Sequence, residues 1–400
     1  MTELNEMKKK VVYFGLDCTD VNVVKRIRAF KEQSFEAIGI TFRRSRYNTD
    51  FVPEWDNIDL GTTQDARYFR RILSLLRAVL KMFSARDKLN DATFYYARNL
   101  DMAILAFVAS GIARRKTPVV YEVLDVLPLI VQNSIKGKLI RFIERWILKR
   151  CHLLVTSSPG YIENYFEPMQ KYRGNWFLLE NRQYPLLRLP YEKPQPESHP
   201  SASVMAKGDR WTIGYFGAIK CVESWELIQF IAQELPGKME IHLKGVPIYL
   251  YLDGAFRRIS PDEFQEMVEA YPNISYGRSY QHPDDLADMY SQVDFAWCFD
   301  FSMKHNSNWC LPNRLYEGGY FEVPTLAAKG FQIGKYVEEL GIGWTFDAPY
   351  GKNMVQFFDQ LTPQEYLGVK QRYKEIPKSQ FVGEEVFRKM CDTILKDIVT

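Results

Sequence analysis

Arg314 and Glu317 stand three residues apart in CLPNRLYEGGYFEVPTLAA, residues 310–328. Pro312 suits the first turn of a helix, where its missing N–H costs nothing. The two charged residues then share one helical face. A guanidinium offers phosphate oxygens a planar fork. A carboxylate has only acceptors and suits the vicinal hydroxyls of a ribose. One face, opened by Asn313, could therefore read ribose and diphosphate together. The plainer alternative is a surface ion pair, which contributes little. Gly318 and Gly319 weigh against it, because a purely structural helix favours Ala or Leu there. Glycines at these positions imply something packing closely on the helix.

A second candidate is GYFGAIKCVESWELI, residues 214–228. Gly214 and Gly217 end an apolar strand, Lys220 follows, and a helix begins. Small residues let a backbone approach a ligand, and a helix start presents free N–H groups to a phosphate. Lys220 could add charge against a diphosphate, although an ordinary strand-to-helix turn has the same look. In the first half, carboxylates stand at strand ends. Asp17 follows the first strand, and Glu122 and Asp125 lie in VVYEVLDV. An inverting group transfer needs one carboxylate to take the acceptor's proton. Asp125 is the first candidate and Asp17 the second, while Glu122 reads more as a structural residue. Arg98 and Asn99, in ARNLD, could position an acceptor, or Asn99 or Asp101 could simply cap a helix. The five histidines show no metal-ligand spacing, so neither a metal nor a cofactor is expected.

Strands and helices alternate along the chain to position these groups. Apolar runs KKKVVYFGL, EAIGITF, TFYYARN, PVVYEVLD, HLLVTSS and NWFLLEN read as strands. Between them fall helical patterns, among them VNVVKRIRAFKEQ, with Lys25, Arg26 and Arg28 mostly off its apolar face. A Pro- and Ser-rich stretch at 188–210 reads as a linker. The alternation then restarts with RWTIGYFG, MEIHLKG, NISYGR, DFAWCF and the strand after Pro324, and helices close the chain. The pattern predicts an α/β protein of two doubly wound parallel sheets, with ligands at the carboxyl ends of the strands in a cleft between domains. Six cysteines without CxxC pairing fit a reducing cytoplasm, and no secretion signal or membrane-spanning run is evident.

Net charge is divided unevenly. Residues 1–200 hold 32 Lys and Arg against 22 Asp and Glu, or +10, and residues 201–400 hold 20 against 27, or −7. The basic half is expected to face an anionic surface. Two cationic amphipathic segments, 66–88 and 134–150, carry much of that charge and could lie on anionic lipid. Each also reads as a core-facing helix with a solvated basic side. No nucleic-acid-binding motif accompanies the charge.

GYFGAIK, YGRSYQHPDDLADMYSQVDFAWCF and LPNRLYEGG…VPTLAA together resemble the donor half of GT-B glycosyltransferases of the family-4 kind. YFGLDCTDVNVVKRIRAF, TFRR, YYARNLDMAILA, VVYEVLDV, LVTSSPGYIENYF and LLENR resemble bacterial exopolysaccharide transferases of the succinoglycan-biosynthesis glucosyltransferase type. The resemblance implies a GT-B fold of two Rossmann-like domains, with an acceptor domain at 1–187, a linker at 188–210 and a donor domain at 211–375. The helical segment 376–400 would cross back. Glu317 would bind the ribose of a nucleotide-sugar such as UDP-glucose, Lys220 and Arg314 its diphosphate, and Gly318 and Gly319 would give the nucleotide room. The acceptor would be a lipid-diphosphate-linked saccharide at the inner face of the cytoplasmic membrane. The chain holds no Asp-x-Asp triplet, as expected of a metal-independent GT-B enzyme rather than the GT-A class.

Three departures stand out. Trp309 occupies the place of a first Glu, so Asn306, Ser307 or Asn308 is expected to contact the donor sugar. Glu322 stands where a Gly usually ends the helix, and a non-Gly residue in the left-handed form costs roughly 1 kcal/mol, so a different turn is expected. Leu124 and Leu127 stand where relatives carry His near Asp125. Two rivals follow: a sugar-nucleotide epimerase on the same fold, and a degenerate transferase serving as an assembly partner.

Overall fold

The computed structural model describes residues 9–43, 51–62, 77–183, 210–247, 249–252 and 255–399. Apart from Arg210, the expected linker lies outside the described residues, as does much of the first cationic segment. The chain divides into two compact units. One comprises residues up to Glu180 together with those from Glu384 onward, and the other is Asn181–Gly383.

The first unit is built on seven strands: β1 (Lys10–Gly15), β2 (Glu36–Arg43), β3 (Asp56–Thr62), β4 (Phe94–Arg98), β5 (Val119–Val123), β6 (Leu153–Thr156) and β7 (Trp176–Leu178). Their order is β3-β2-β1-β4-β5-β6-β7, all parallel. A parallel sheet is covered on both faces, so its strands read as unbroken apolar runs. Val11, Val12, Tyr13 and Phe14 are all fully buried. β3 was not anticipated, because Asp56, Asn57 and Asp59 interrupt any apolar pattern. An edge strand with one neighbour can tolerate such residues.

Helix α1 (Val21–Glu32) is capped by Asp20, which accepts from the Asn22 and Val23 N–H groups. The expectation that Arg26 lies off the buried face is corrected. Lys25 and Arg26 are both buried, and Arg26 Nε donates to Glu122 Oε1 at 2.8 Å. Helices α2 (Leu100–Ile112) and α3 (Ile135–Leu148) also belong to this unit. The C-terminal helix Glu384–Val399 completes it. Its Phe387 ring packs 4.8 Å from Phe30, and Tyr96 Oη donates to Met390 Sδ.

The second unit repeats the plan. Its strands are β8 (Trp211–Ile219), β9 (Met239–Pro247), β10 (Tyr249–Leu252), β11 (Ala255–Arg258), β12 (Ile274–Tyr276), β13 (Phe295–Trp297), β14 (Thr325–Ala328) and β15 (Gly343–Phe346). The main sheet runs β12-β9-β8-β13-β14-β15, all parallel. β10 and β11 form a separate antiparallel ribbon that the helix–strand alternation did not foretell. In each sheet the strand order reverses beside the first strand, between β1 and β4 and between β8 and β13. Ligands of open α/β sheets gather outside the carboxyl ends at such a switch point.

Three helices frame the carboxyl ends here: α4 (Val222–Glu234), α5 (His305–Trp309) and α6 (Asn313–Tyr320). The two glycines of α6 serve a different purpose from the one expected. A Cβ on Gly318 would meet Ala296 Cβ on β13 at 3.0 Å, and one on Gly319 would meet the Phe381 ring at 2.2 Å. What packs closely on this helix is the chain itself, so the assignment of Gly318 as nucleotide clearance gives way to a packing role. Gly319→Ala is expected to destabilise the protein by about 1–3 kcal/mol through overpacking, read as a lower urea midpoint. Gly318→Ala, facing a 3.0 Å contact instead of a 2.2 Å one, should cost less.

Candidate functional site

At the β8/β13 switch point the chain assembles a charged cluster. β8 continues past Gly217 and pairs with β9 as far as Ile219↔Pro247, so the strand does not end where the glycines predicted. Gly217 has φ +111°, a conformation that a side chain would strain. Opposite it, a Cβ on Gly245 would lie 1.7 Å from the Gly217 carbonyl oxygen. This pair of glycines lets β8 and β9 run close enough to carry Lys220 to the carboxyl end of the sheet. Lys220 Nζ then lies 3.3 Å from Asp300 Oδ2, just beyond β13. Asp300 Oδ1 also accepts from the Ser302 N–H at 2.8 Å and the Ser302 hydroxyl at 2.5 Å, with the Ser307 hydroxyl at 3.5 Å. Burial pushes the Asp300 carboxyl up, but Lys220, Ser302 and Arg314 together outweigh it and hold it below the usual range.

Arg314 and Glu317 sit beside this cluster on α6. The Arg314 guanidinium lies 4.8 Å over the Tyr215 ring. Its Nη1 is buried and, among the described residues, has no hydrogen-bond partner. A buried donor of this kind is costly unless an acceptor arrives. The Glu317 side chain is almost fully buried; its Oε2 accepts from Tyr290 Oη at 3.1 Å, and its Oε1 lies 3.5 Å from His282 Nε2. The sequence gave His282, Tyr290 and Asp300 no role in a site.

The turn after α6 also resolves the question raised by Glu322. The residue adopts φ +59°, so the left-handed turn is retained without glycine. Lys378 Nζ bonds its carboxylate at 2.7 Å, and Lys370 Nζ donates to its carbonyl oxygen. These contacts hold a conformation that local sterics disfavour.

The residues named as sugar contacts separate. Asn306 and Ser307 are buried on α5, and Ser307 joins the Asp300 cluster. Asn308 is exposed and Asn313 half-buried. Trp309 stacks on His305, ring centroids 5.4 Å apart.

In the first unit, Arg98 and Asn99 close β4 and Asp17 follows β1. Arg98 Nη1 donates to Asp20 Oδ1 at 2.8 Å, and its Nε is buried without a hydrogen-bond partner among the described residues. Burial would raise the Asp20 carboxyl, but Arg98 and the α1 N–H groups hold it low. Asn99 has φ 73° and ψ 160° and makes no side-chain cap to α2, contrary to the simple capping alternative. Such backbone strain in a non-glycine residue concentrates at functional positions. Asp17 is buried and accepts from the Thr19 N–H at 3.0 Å and the Thr19 hydroxyl at 2.9 Å, so it organises a turn. Glu122 is fully buried against Arg26. Asp125, past the end of β5, is the exposed carboxylate of the three candidates.

Two parallel, doubly wound sheets, together with the likeness to glycosyltransferase structures over nearly the whole chain, show that the chain has the GT-B fold. It is 29% identical over 392 residues, spanning 98% of this chain and 93% of the relative, to succinoglycan biosynthesis protein ExoL of Rhizobium meliloti strain 1021. Among solved structures it is similar to Anabaena HepE in complex with UDP-glucose, with TM-score 0.68 and 14% identity over 96% of this chain and 99% of that one. A sucrose-phosphate synthase from Thermosynechococcus elongatus superposes with TM-score 0.68 and 11% identity over 96% and 98%. WaaG, a glycosyltransferase involved in lipopolysaccharide biosynthesis, gives TM-score 0.64 and 11% identity over 96% and 99%. No protein-family model matches the chain.

The depressed Asp300 carboxyl has a consequence for stability. A carboxyl whose folded pKa lies below its unfolded value stabilises the fold above the unfolded value, near 3.9. That stabilisation is lost as pH falls through the folded value. Urea titrations of wild type and Asp300→Asn between neutral pH and pH 2.5 should show the variant less stable at neutral pH. The two curves should converge in acid.

Proposed function

We propose that this protein is a glycosyltransferase that moves a hexose from UDP-glucose or a similar nucleotide-sugar to a lipid-linked oligosaccharide in bacterial exopolysaccharide assembly. The observation that carries the reading is the buried Arg314 Nη1, without a hydrogen-bond partner among the described residues, on the same helix as the shielded Glu317 carboxylate. A donor that lacks an acceptor and a carboxylate that is all acceptor are what a nucleoside diphosphate satisfies. Similarity to a succinoglycan biosynthesis protein over nearly the whole chain supports the pathway. The HepE structure with UDP-glucose supports the donor class.

In this reading Glu317 accepts from the ribose hydroxyls, with Tyr290 and His282 fixing its orientation. Arg314 and Lys220 neutralise the diphosphate. An acceptor hydroxyl oxygen bonds to the anomeric carbon while the bond from that carbon to the diphosphate oxygen breaks. The leaving nucleoside diphosphate carries away the electron pair, and its charge is met by the two cations. Asp125, exposed at a strand end, is assigned the hydroxyl proton, and Arg98 and Asn99 are assigned to the acceptor. Ser307 and Asp300 stand where the donor sugar would be read, in place of the Glu replaced by Trp309. A lipid-linked acceptor puts the protein at the inner face of the cytoplasmic membrane.

Calorimetric titration with UDP, GDP and ADP tests the reading. UDP is expected to bind, and Glu317→Ala and Arg314→Ala are each expected to weaken it about 10- to 100-fold, the size of a lost hydrogen bond to a charged group. No heat with any of the three would overturn the donor site. Release of nucleoside diphosphate should require the lipid acceptor, whereas an epimerase would convert the donor without one.

A further inference from the structure

α3 carries apolar residues on two opposite sides. Its inward side is closed by Gly137, Glu144, Ile147 and Leu148, all buried. Glu144 is held there by Tyr121 Oη at 2.8 Å and by Tyr165 and Gln170. The outward side presents Ile135, Leu139, Phe142 and Trp146, which are 87%, 58%, 66% and 43% exposed. Spaced four, three and four residues apart, they fall within an arc of about 60° and extend for roughly 17 Å of helix.

Cations rim this stripe on both sides. Lys138 and Lys149 flank it on one edge and Lys136 and Arg150 on the other, all exposed. The Arg150 guanidinium lies 4.4 Å from the Trp146 ring centre, at the border of the apolar surface. Arg141 and Arg145 turn instead to backbone carbonyls, those of Gln132 and of Met169 and Gln170. Glu144 is the only acidic residue of α3, and it points inward. Among the described residues no helix is long and apolar enough to cross a membrane.

We infer that the outward stripe of α3 inserts shallowly into an anionic bilayer, with the helix lying along the surface and its four rim cations against lipid phosphates. An apolar strip between two rows of cations matches the acyl–headgroup boundary of such a membrane. Pairing with a second copy through the same face would bring eight cations together with no acidic residue of α3 facing them. The inference rests on the reading of a lipid-linked acceptor, because it supplies the surface at which that acceptor is met.

The test uses the full chain and vesicles of phosphatidylcholine with or without phosphatidylglycerol. Wild type should pellet with the anionic vesicles and detach as salt rises. Ile135→Ser/Leu139→Ser/Phe142→Ser should lower the partition coefficient roughly tenfold or more. Lys136→Gln/Lys138→Gln/Lys149→Gln should weaken binding and flatten its salt dependence. Failure of wild type to pellet, or an apolar variant that pellets like wild type, overturns the inference. So does a wild-type dimer in sedimentation velocity that the apolar variant converts to monomer, since the stripe would then be an interface between copies. Wild-type far- and near-ultraviolet circular dichroism together with an unchanged urea midpoint shows that the unit carrying the apolar substitutions folds. Loss of UDP binding in wild type would instead sink the transferase reading, whatever the pelleting result.

Discussion

The proposed donor site depends on one constraint: the Glu317 carboxylate is held almost entirely out of bulk water. A buried carboxylate must be given hydrogen bonds or opposite charge. Tyr290 answers that need with a hydrogen bond from the segment before β13, and His282 Nε2 stands 3.5 Å away, so the helix carrying Glu317 is tied to a neighbouring element. The two glycines of α6 add a second tie. They let the helix press onto Ala296 and Phe381, and this fixes the distance at which its polar face stands from the sheet. The left-handed Glu322 then turns the chain sharply into β14, with two lysines holding it. Contacts within the unit thus hold the helix that carries Arg314 and Glu317.

Both units place an ion pair across the point where their sheets reverse. In the first, Arg98 at the end of β4 reaches Asp20 just beyond β1. In the second, Lys220 just beyond β8 reaches Asp300 just beyond β13. The acid and base have changed sides, but the physical effect is shared. Each pair joins loops from two strands that would otherwise diverge, and each keeps a cation at the carboxyl end of a parallel sheet. In the second unit that cation is already partly committed to Asp300. A bound diphosphate would share Lys220 with Asp300, and the Ser302 and Ser307 hydroxyls would continue to satisfy the carboxylate.

Much of the architecture was legible before any coordinates. Fully buried parallel strands announce themselves as apolar runs, and all the expected ones are present. The strands that escaped are β3, which is polar, the β10–β11 ribbon, which pairs locally, and β15, a short edge strand of four residues. Within the site, Arg314, Glu317 and Lys220 could be found because charged residues beside glycines are conspicuous. Asp300, His282 and Tyr290 could not. Their importance comes from what they touch, and a side chain that meets its partner across 27 or 80 residues of chain leaves no local pattern. Arg26 shows the converse. Its helical spacing put it off the apolar face, but a buried Glu122 drew it inward.

The sequence alone determined the two-sheet plan, the charge asymmetry and the polar face of α6, because periodicity and residue chemistry are local properties. Tertiary structure decided what each of these was for. It assigned Gly318 and Gly319 to helix packing, showed that Asn99 sits in a strained conformation without capping its helix, and kept Glu322 in a glycine-like turn. It also turned part of a cationic amphipathic helix inside out, leaving Ile135, Leu139, Phe142 and Trp146 exposed while Ile147 and Leu148 went into the core. Helical spacing can show that a helix has apolar sides, but only the packing of its neighbours determines which of them remains uncovered.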